Sequence, residues 1–234
     1  MIKKFMRFWS EERALSIFLL LLVVEMFVIG PVVRSVPRFA LASDLLFCIL
    51  LIAGVLTVVK HRTLQWTTGI FVLLAIAVRW AANVFGTPGL LFWNGFFSLL
   101  STLAFLLIVL WWVYREGPVT GHRVRGAVAG YLLLALCFSL AYHLIESVYP
   151  GSFTLALGGA QDIHTRAASF LYFSVVTLTT VGFGDIAAVH PVARSLVMVE
   201  ALVGQLYPAI LIARIVTLQM ETRRSQHRPS DGDA

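Results

Sequence analysis

Six apolar stretches constrain the fold of this chain more than any other feature. Each is about as long as the 20 or so residues with which a helix crosses a hydrocarbon core roughly 30 Å thick. They lie at residues 14–33, 41–59, 64–85, 90–114, 126–149 and 191–216. With 59% hydrophobic and 13% charged residues and a mean hydropathy of +0.87, the 234-residue chain has the composition of an integral membrane protein. We therefore predict an all-α membrane protein with six transmembrane helices.

Basic residues mark one side of these predicted helices. The ends on that side carry Lys3, Lys4, Arg7, Arg13, Lys60, Arg62, Arg115, Arg123, Arg125, Arg223, Arg224 and Arg228. The other side carries only Arg34, Arg38, Arg166 and Arg194. The positive-inside rule then predicts a multi-pass protein of the cell membrane with both termini in the cytoplasm, and we expect a bacterial inner membrane. The net charge of +6 is explained by flanks that meet membrane lipids, so no nucleic acid partner is expected.

The apolar stretches group into two membrane units. Residues 14–114 form a four-helix unit, and residues 126–216 form a second unit with two spanning helices. Residues 115–125 are polar and contain glycine and proline, which predicts an interfacial linker. Residues 1–13 and 217–234 are the predicted cytoplasmic ends, and the second is too short for a soluble gating domain.

The run Thr-Val-Gly-Phe-Gly-Asp at residues 180–185 follows an apolar stretch, residues 170–179, that is too short to span a bilayer. Such a stretch is expected to be re-entrant, and irregular backbone at membrane depth must line a pore or be buried. Carbonyls on an ordinary strand alternate sides, but Gly182 and Gly184 permit backbone angles that align them. Aligned carbonyls from four copies replace the hydration shell of a potassium ion. We predict a selectivity filter in which K⁺ is held by Thr180, Val181, Gly182, Phe183 and Gly184, with Asp185 at the outer mouth.

On this run the chain resembles the potassium channel family, over about residues 126–220. The resemblance implies passive K⁺ conduction through a homotetramer in which each chain donates one filter strand. It also implies a pore helix that supports the filter through Tyr172, Phe173, Thr177 and Thr179.

Four positions depart from the family pattern. The family usually has Tyr where this chain has Phe183, and its pore helices often carry Trp where Tyr172 and Phe173 stand. Some members carry Glu at the position of Val176, which pairs with the Asp after the filter. These departures leave the outline of the filter in place.

The fourth apolar stretch, residues 90–114, contains no Arg or Lys. In voltage-gated relatives the fourth helix carries Arg or Lys at every third position, and these charges move in the membrane field. The resemblance to voltage-gated channels therefore covers only helix count and layout. We predict weak or absent voltage dependence.

Three charges lie inside the four-helix unit, in the predicted outer half of the membrane. Glu25 or Asp44 is expected to form a structural ion pair with Arg79, because an unpaired charge in lipid is costly. The alternative is that this polar cluster senses a proton, an ion or a small ligand.

The sixth apolar stretch contains a candidate gating hinge. Gly204 lowers helix propensity, and Pro208 cannot donate a hydrogen bond to the carbonyl of Gly204. Gly204 lies 19 residues after Asp185, a spacing that resembles the hinge glycine of two-helix potassium channels. The alternative is a close packing contact with a static kink. Glu200 lies near mid-membrane and is expected behind the pore helix or on the cavity.

We predict a potassium-selective channel that needs no cofactor and has K⁺ as its permeant ion. A weakly selective cation channel, or a membrane sensor on a channel-like scaffold, is the alternative. No combination of nucleophile, base and metal ligands is recognisable, so no enzyme is expected. Cys48 and Cys137 lie in apolar stretches, which favours packing over a disulfide or metal site.

Overall fold

The computed structural model describes residues 16–29, 45–50, 52–53, 62–115, 121–155 and 163–226. The first helix, α1, is Ser16–Ile29, and its last part, Glu25–Ile29, is a π-helix. Residues 45–50, labelled α2, and residues 52–53 are helical. The remaining elements are α3 (Arg62–Phe85), α4 (Pro88–Tyr114), α5 (Gly121–Val148), β1 (Phe153–Leu155), α6 (Ile163–Leu178), β2 (Ile186–Ala188) and α7 (Pro191–Gln226).

Three helices of the described part of the chain are long and apolar enough to cross a membrane: Gly89–Tyr114, Arg123–Val148 and Pro191–Thr217. Shorter apolar helices are found at Ser16–Ile29, Gly69–Ala82 and Arg166–Leu178. The protein is therefore a mostly helical membrane protein. The number of six spans stays a prediction.

Helices α3 and α4 are joined by a two-residue turn, with a glycine after the end of α3 and a proline at the start of α4. Gly86 takes a φ of +60° and its amide donates to Ala82 O at 2.9 Å, which closes the end of α3. Thr87 is extended, and Pro88 starts α4, where its missing amide hydrogen costs nothing. This turn makes α3 and α4 antiparallel neighbours.

Helix α5 begins at Gly121, earlier than the expected start at residue 126. The predicted linker, residues 115–125, is thus helical in its second half. Arg125 stabilises this extra turn because its Nε donates to Gly121 O at 3.2 Å. Its guanidinium also donates to Ser16 Oγ at 2.6 Å, which joins the start of α5 to the start of α1.

Helix α6 likewise begins at Ile163, before the apolar stretch at residues 170–179 from which a pore helix was predicted. It has 16 residues and ends at Leu178. The first turns of α6 contain polar residues. An apolar stretch indicates only the buried part of a helix, so the prediction missed these turns.

A two-stranded antiparallel sheet joins the segments before α6 and after residues 180–185, and it was not predicted. Phe153 pairs with Ala188 and Leu155 with Ile186. Each strand has three residues, which is too short for an alternating pattern to be recognised. The all-α prediction therefore misses this small sheet, although the fold is mostly helical.

Aromatic rings pack where α5, β1 and α6 meet. The Phe153 ring lies 5.3 Å from Tyr142, 5.0 Å from Phe170 and 5.7 Å from Phe173, each in an edge-to-face arrangement. Ile186 of β2 is buried in the same cluster. The cluster fixes α6 and β2, and therefore both ends of the segment that connects them.

The polar cluster predicted in the four-helix unit is only partly described. Glu25 is buried at the start of the π-helix, and the Arg79 guanidinium lies 4.7 Å from the centre of the Phe47 ring. Asp44 lies outside the described residues. An ion pair with Arg79 stays a prediction.

Candidate functional site

The backbone turns sharply after α6, and its amides point back to that helix. Val181 N and Gly182 N both donate to Val176 O, at 3.0 and 3.3 Å, and Thr180 N donates to Thr177 O at 2.9 Å. The last carbonyls of α6, which have no partner within a helix, are thereby satisfied by the segment that follows. These hydrogen bonds hold the start of residues 180–185 against the helix end.

Alternate residues of this segment lie in the left-handed region of backbone conformation. The φ angles are +61° at Thr180, +57° at Gly182 and +79° at Gly184. Alternation of φ in sign can turn successive carbonyls to one side, which an ordinary strand cannot do. Within the described residues, the carbonyl oxygens of 180–184 accept no hydrogen bond. That these carbonyls line up to bind a cation stays a prediction.

Thr180 is unusual because a residue with a branched side chain rarely adopts a positive φ. It is the only non-glycine residue with this property in the described part of the chain. The sequence pointed to Gly182 and Gly184 for backbone freedom and missed the strain at Thr180. Such strain costs on the order of 1–3 kcal/mol, and it persists where surrounding contacts impose it.

Gln205 contacts the filter segment and was missed by sequence reasoning. Its side-chain Nε2 donates to Thr180 Oγ1 at 3.1 Å. The signal was a polar residue next to Gly204 in a mostly apolar stretch. This contact joins α7 directly to Thr180, the first residue of the segment.

The side chains of the segment are exposed in the single chain. Val181 is 55% exposed and Phe183 is 69% exposed. The Phe183 ring is stacked on Tyr172 of α6, with the ring centres 6.4 Å apart and the planes 3° apart. Asp185 is partly buried at the end of the segment.

The other predicted support residues have different surroundings. Phe173 is buried in the aromatic cluster. The Thr179 hydroxyl donates to Val175 O at 2.7 Å, so it is used within the end of α6. Thr177 contributes its carbonyl to the turn, where it accepts the amide of Thr180.

Gly204 lies against the end of α6. A Cβ placed on Gly204 would lie 2.0 Å from the carbonyl oxygen of Leu178. The same oxygen accepts a hydrogen bond from the Tyr131 hydroxyl at 3.0 Å. Helix α7 continues through Gly204 and Pro208. The structure therefore places Gly204 in close packing, and its role as a hinge stays a prediction.

Glu200 is completely buried, and its position relative to a pore stays a prediction. Its carboxyl oxygens contact two hydroxyl groups, those of Tyr142 on α5 and Ser174 on α6. Within the described residues, no group of three or more His, Cys, Asp and Glu side chains could hold a metal ion. The backbone oxygens of residues 180–184 stay the predicted cation ligands.

Comparison with known proteins assigns this part of the chain to a family. The ion channel family matches residues 130–221. The inward rectifier potassium channel Kirbac3.1 of Paramagnetospirillum magnetotacticum is 36% identical over 89 residues, which are 36% of this chain and 25% of the relative. Protein LctB of Bacillus caldotenax is 33% identical over 90 residues, 38% of this chain and 66% of the relative.

A plant protein matches as well. Two pore potassium channel c of Oryza sativa subsp. japonica is 32% identical over 94 residues, 38% of this chain and 20% of the relative. The chain spans less than two thirds of the length of each of these relatives. The matched residues contain α6, residues 180–185 and nearly all of α7. Over residues 130–221 the chain is therefore similar to ion channels, and two of these relatives are named as potassium channels.

Proposed function

We propose that the protein is a potassium-selective channel in which four copies of residues 180–185 surround one pore. The observation that carries this proposal is the positive φ at alternate residues, Thr180, Gly182 and Gly184, in a segment whose carbonyls accept no hydrogen bond from the described residues. Rows of such carbonyls substitute for the hydration shell of K⁺. The similarity to an inward rectifier and a two pore potassium channel supports the same ion.

Two features of the single chain support the proposed homotetramer: the one-sided filter segment and the exposed apolar side chains of α7. One filter segment supplies oxygens from one direction only, so a single chain cannot enclose an ion. Helix α7 carries a row of exposed apolar side chains, including Met198, Leu202, Leu206 and Ile210. Contact with neighbouring copies and with lipid would cover this row, and closed rotational symmetry is how a ring of identical chains forms.

Weak selectivity is the second candidate, and one contact favours it. Phe183 has no hydroxyl, and its described ring contact is the stack on Tyr172. A stack of this kind is worth about 0.5–1.5 kcal/mol, so it holds the filter diameter less firmly than a ring that is also hydrogen-bonded. Reversal potentials in mixed K⁺ and Na⁺ separate the two candidates. In a weakly selective pore, the reversal potential shifts little when K⁺ replaces Na⁺.

The direct test is K⁺ and Na⁺ flux in liposomes that hold the purified protein, with Gly182→Ala as the variant. Gly182 has a φ of +57°, and a Cβ there would meet nothing within 4 Å, so alanine changes the backbone preference without a clash. Alanine at a left-handed position costs roughly 1–2 kcal/mol. We expect K⁺-selective flux in the native protein and its loss in Gly182→Ala.

Gly151→Ala is the matched control. Gly151 also has a positive φ, +84°, with open space around it, but it lies in the turn before β1. It should carry the same backbone strain and retain K⁺ flux. Equal loss in both variants, or native flux that does not distinguish K⁺ from Na⁺, would contradict the proposed function.

A further inference from the structure

A buried network of hydroxyl and carboxyl groups lies behind the filter. Glu200 on α7 has no exposed surface, and its Oε2 accepts the hydroxyl hydrogen of Tyr142 on α5. Its Oε1 lies 2.5 Å from Ser174 Oγ on α6. Ser174 Oγ also lies 2.7 Å from the carbonyl oxygen of Ala135 on α5. One carboxyl group therefore connects the three helices α5, α6 and α7.

The count of hydrogens decides the protonation of this carboxyl. A serine hydroxyl has one hydrogen, and a backbone carbonyl can only accept. If Ser174 gives its hydrogen to Ala135 O, the 2.5 Å contact with Glu200 needs a second hydrogen, which only the carboxyl can supply. If Glu200 were ionised, Ser174 would donate to it and leave two acceptors facing each other 2.7 Å apart.

The surroundings favour the neutral acid as well. In the described part of the chain, the titratable groups near this carboxyl are the phenols of Tyr142 and Tyr131, and no cation pairs with it. A buried charge without a cation is strongly disfavoured, whereas a neutral acid is satisfied by one donor and one acceptor.

The network acts on the filter through α6. Ser174 and Leu178 are one turn apart on α6, and Glu200 and Gly204 are one turn apart on α7. The Glu200 carboxyl contacts Ser174 and Gly204 packs on Leu178, so α7 holds α6 at two successive turns. Val176, which accepts the amides of two filter residues, lies between these two contacts.

We propose that Glu200 is a neutral carboxylic acid that donates to Ser174 and positions α6, and with it the filter, for selective conduction. This inference rests on the proposed function of the filter, but the protonation state is measured independently of flux. Glu200 is a positioning residue, since it acts through Ser174 and does not face the ion.

The first test compares the infrared spectra of the purified native protein and of Glu200→Gln at neutral pH. The native protein should show the carbonyl stretch of a protonated carboxyl group, and the band should disappear in Glu200→Gln. Glu146→Gln is the control, because that carboxyl accepts the amide of Gly151 and lies 4.0 Å from Arg166. Tyr142→Phe should move the band to higher frequency, because it removes the hydrogen bond to the carbonyl oxygen. A missing band, or a band that survives Glu200→Gln, would overturn the proposal.

The second test compares two substitutions by their effect on K⁺ over Na⁺ flux. Glutamine reproduces the hydrogen pattern of a neutral acid, with an NH₂ toward Ser174 and a carbonyl toward Tyr142. Glu200→Gln should therefore stay within about twofold of native selectivity, while Glu200→Ala should lose about tenfold because two buried hydroxyls lose their partner. A glutamine variant as impaired as the alanine variant would refute the neutral acid. If the native protein shows the band but no selective flux, the proposed function fails while the protonation state stands.

Discussion

At the scale of single residues, Thr180 combines a strained backbone with a predicted role as an ion ligand. Its φ of +61° is unfavourable for threonine, and Gln205 Nε2 donates to its hydroxyl oxygen at 3.1 Å. This hydrogen bond occupies one lone pair of Oγ1 and fixes the side-chain rotamer. In the proposed pore, the second lone pair of Oγ1 would be left for the innermost ion.

Gln205→Leu removes this donor and keeps a side chain of similar size. We expect K⁺ flux to fall about fivefold, the equivalent of one neutral hydrogen bond of roughly 1 kcal/mol, without loss of assembly, since Gln205 is exposed in the single chain. Liposome flux measures the change. Thr217→Val, which removes an exposed hydroxyl on the same helix, is the control. Equal effects of the two changes would show that Gln205 has no particular role at the filter.

At the scale of elements, the contact between α6 and α7 allows no side chain at Gly204. A Cβ there would lie 2.0 Å from Leu178 O, so Gly204→Ala must push the end of α6 away. We expect a loss of about 1–3 kcal/mol in the free energy of unfolding and a weaker preference for K⁺. Thermal unfolding in detergent, together with flux, measures both.

Gly69→Ala is the control for this prediction, because Gly69 lies in α3 and a Cβ added there would meet nothing within 4 Å. Alanine there should stabilise the helix by about 0.5–1 kcal/mol. A hinge without a packing role would behave differently from our expectation: Gly204→Ala would alter opening while leaving the unfolding temperature unchanged.

At the scale of the whole molecule, Arg214 joins α7 to the end of α4. Its guanidinium donates to the carbonyls of Tyr114 and Arg115 at the end of α4 and lies 5.0 Å from the centre of the Tyr114 ring. A cation at a helix C-terminus is favourable, so this contact stabilises both α4 and its attachment to α7. Any movement of α4 would therefore reach α7.

The membrane potential should nevertheless exert little force through this contact, because α4 contains no Arg or Lys. Moving one charge across the membrane is worth about 2.3 kcal/mol per 100 mV, and α4 has no such charge to move. We expect currents in symmetrical K⁺ to show no steep dependence of opening on voltage. Planar bilayer recordings over both polarities test this. An opening curve that requires several gating charges would contradict it.

The sequence by itself determined that the chain lies in a membrane, that it is mostly helical, and which residues form the candidate filter. These conclusions depend on apolar length and on the backbone freedom of Gly182 and Gly184, which are local properties. Only the tertiary structure decided that Gly204 packs on Leu178, that Glu200 contacts Ser174 and Tyr142, and that β1 pairs with β2. Those contacts join residues that are far apart in the chain, and no local periodicity carries information about which distant surfaces meet.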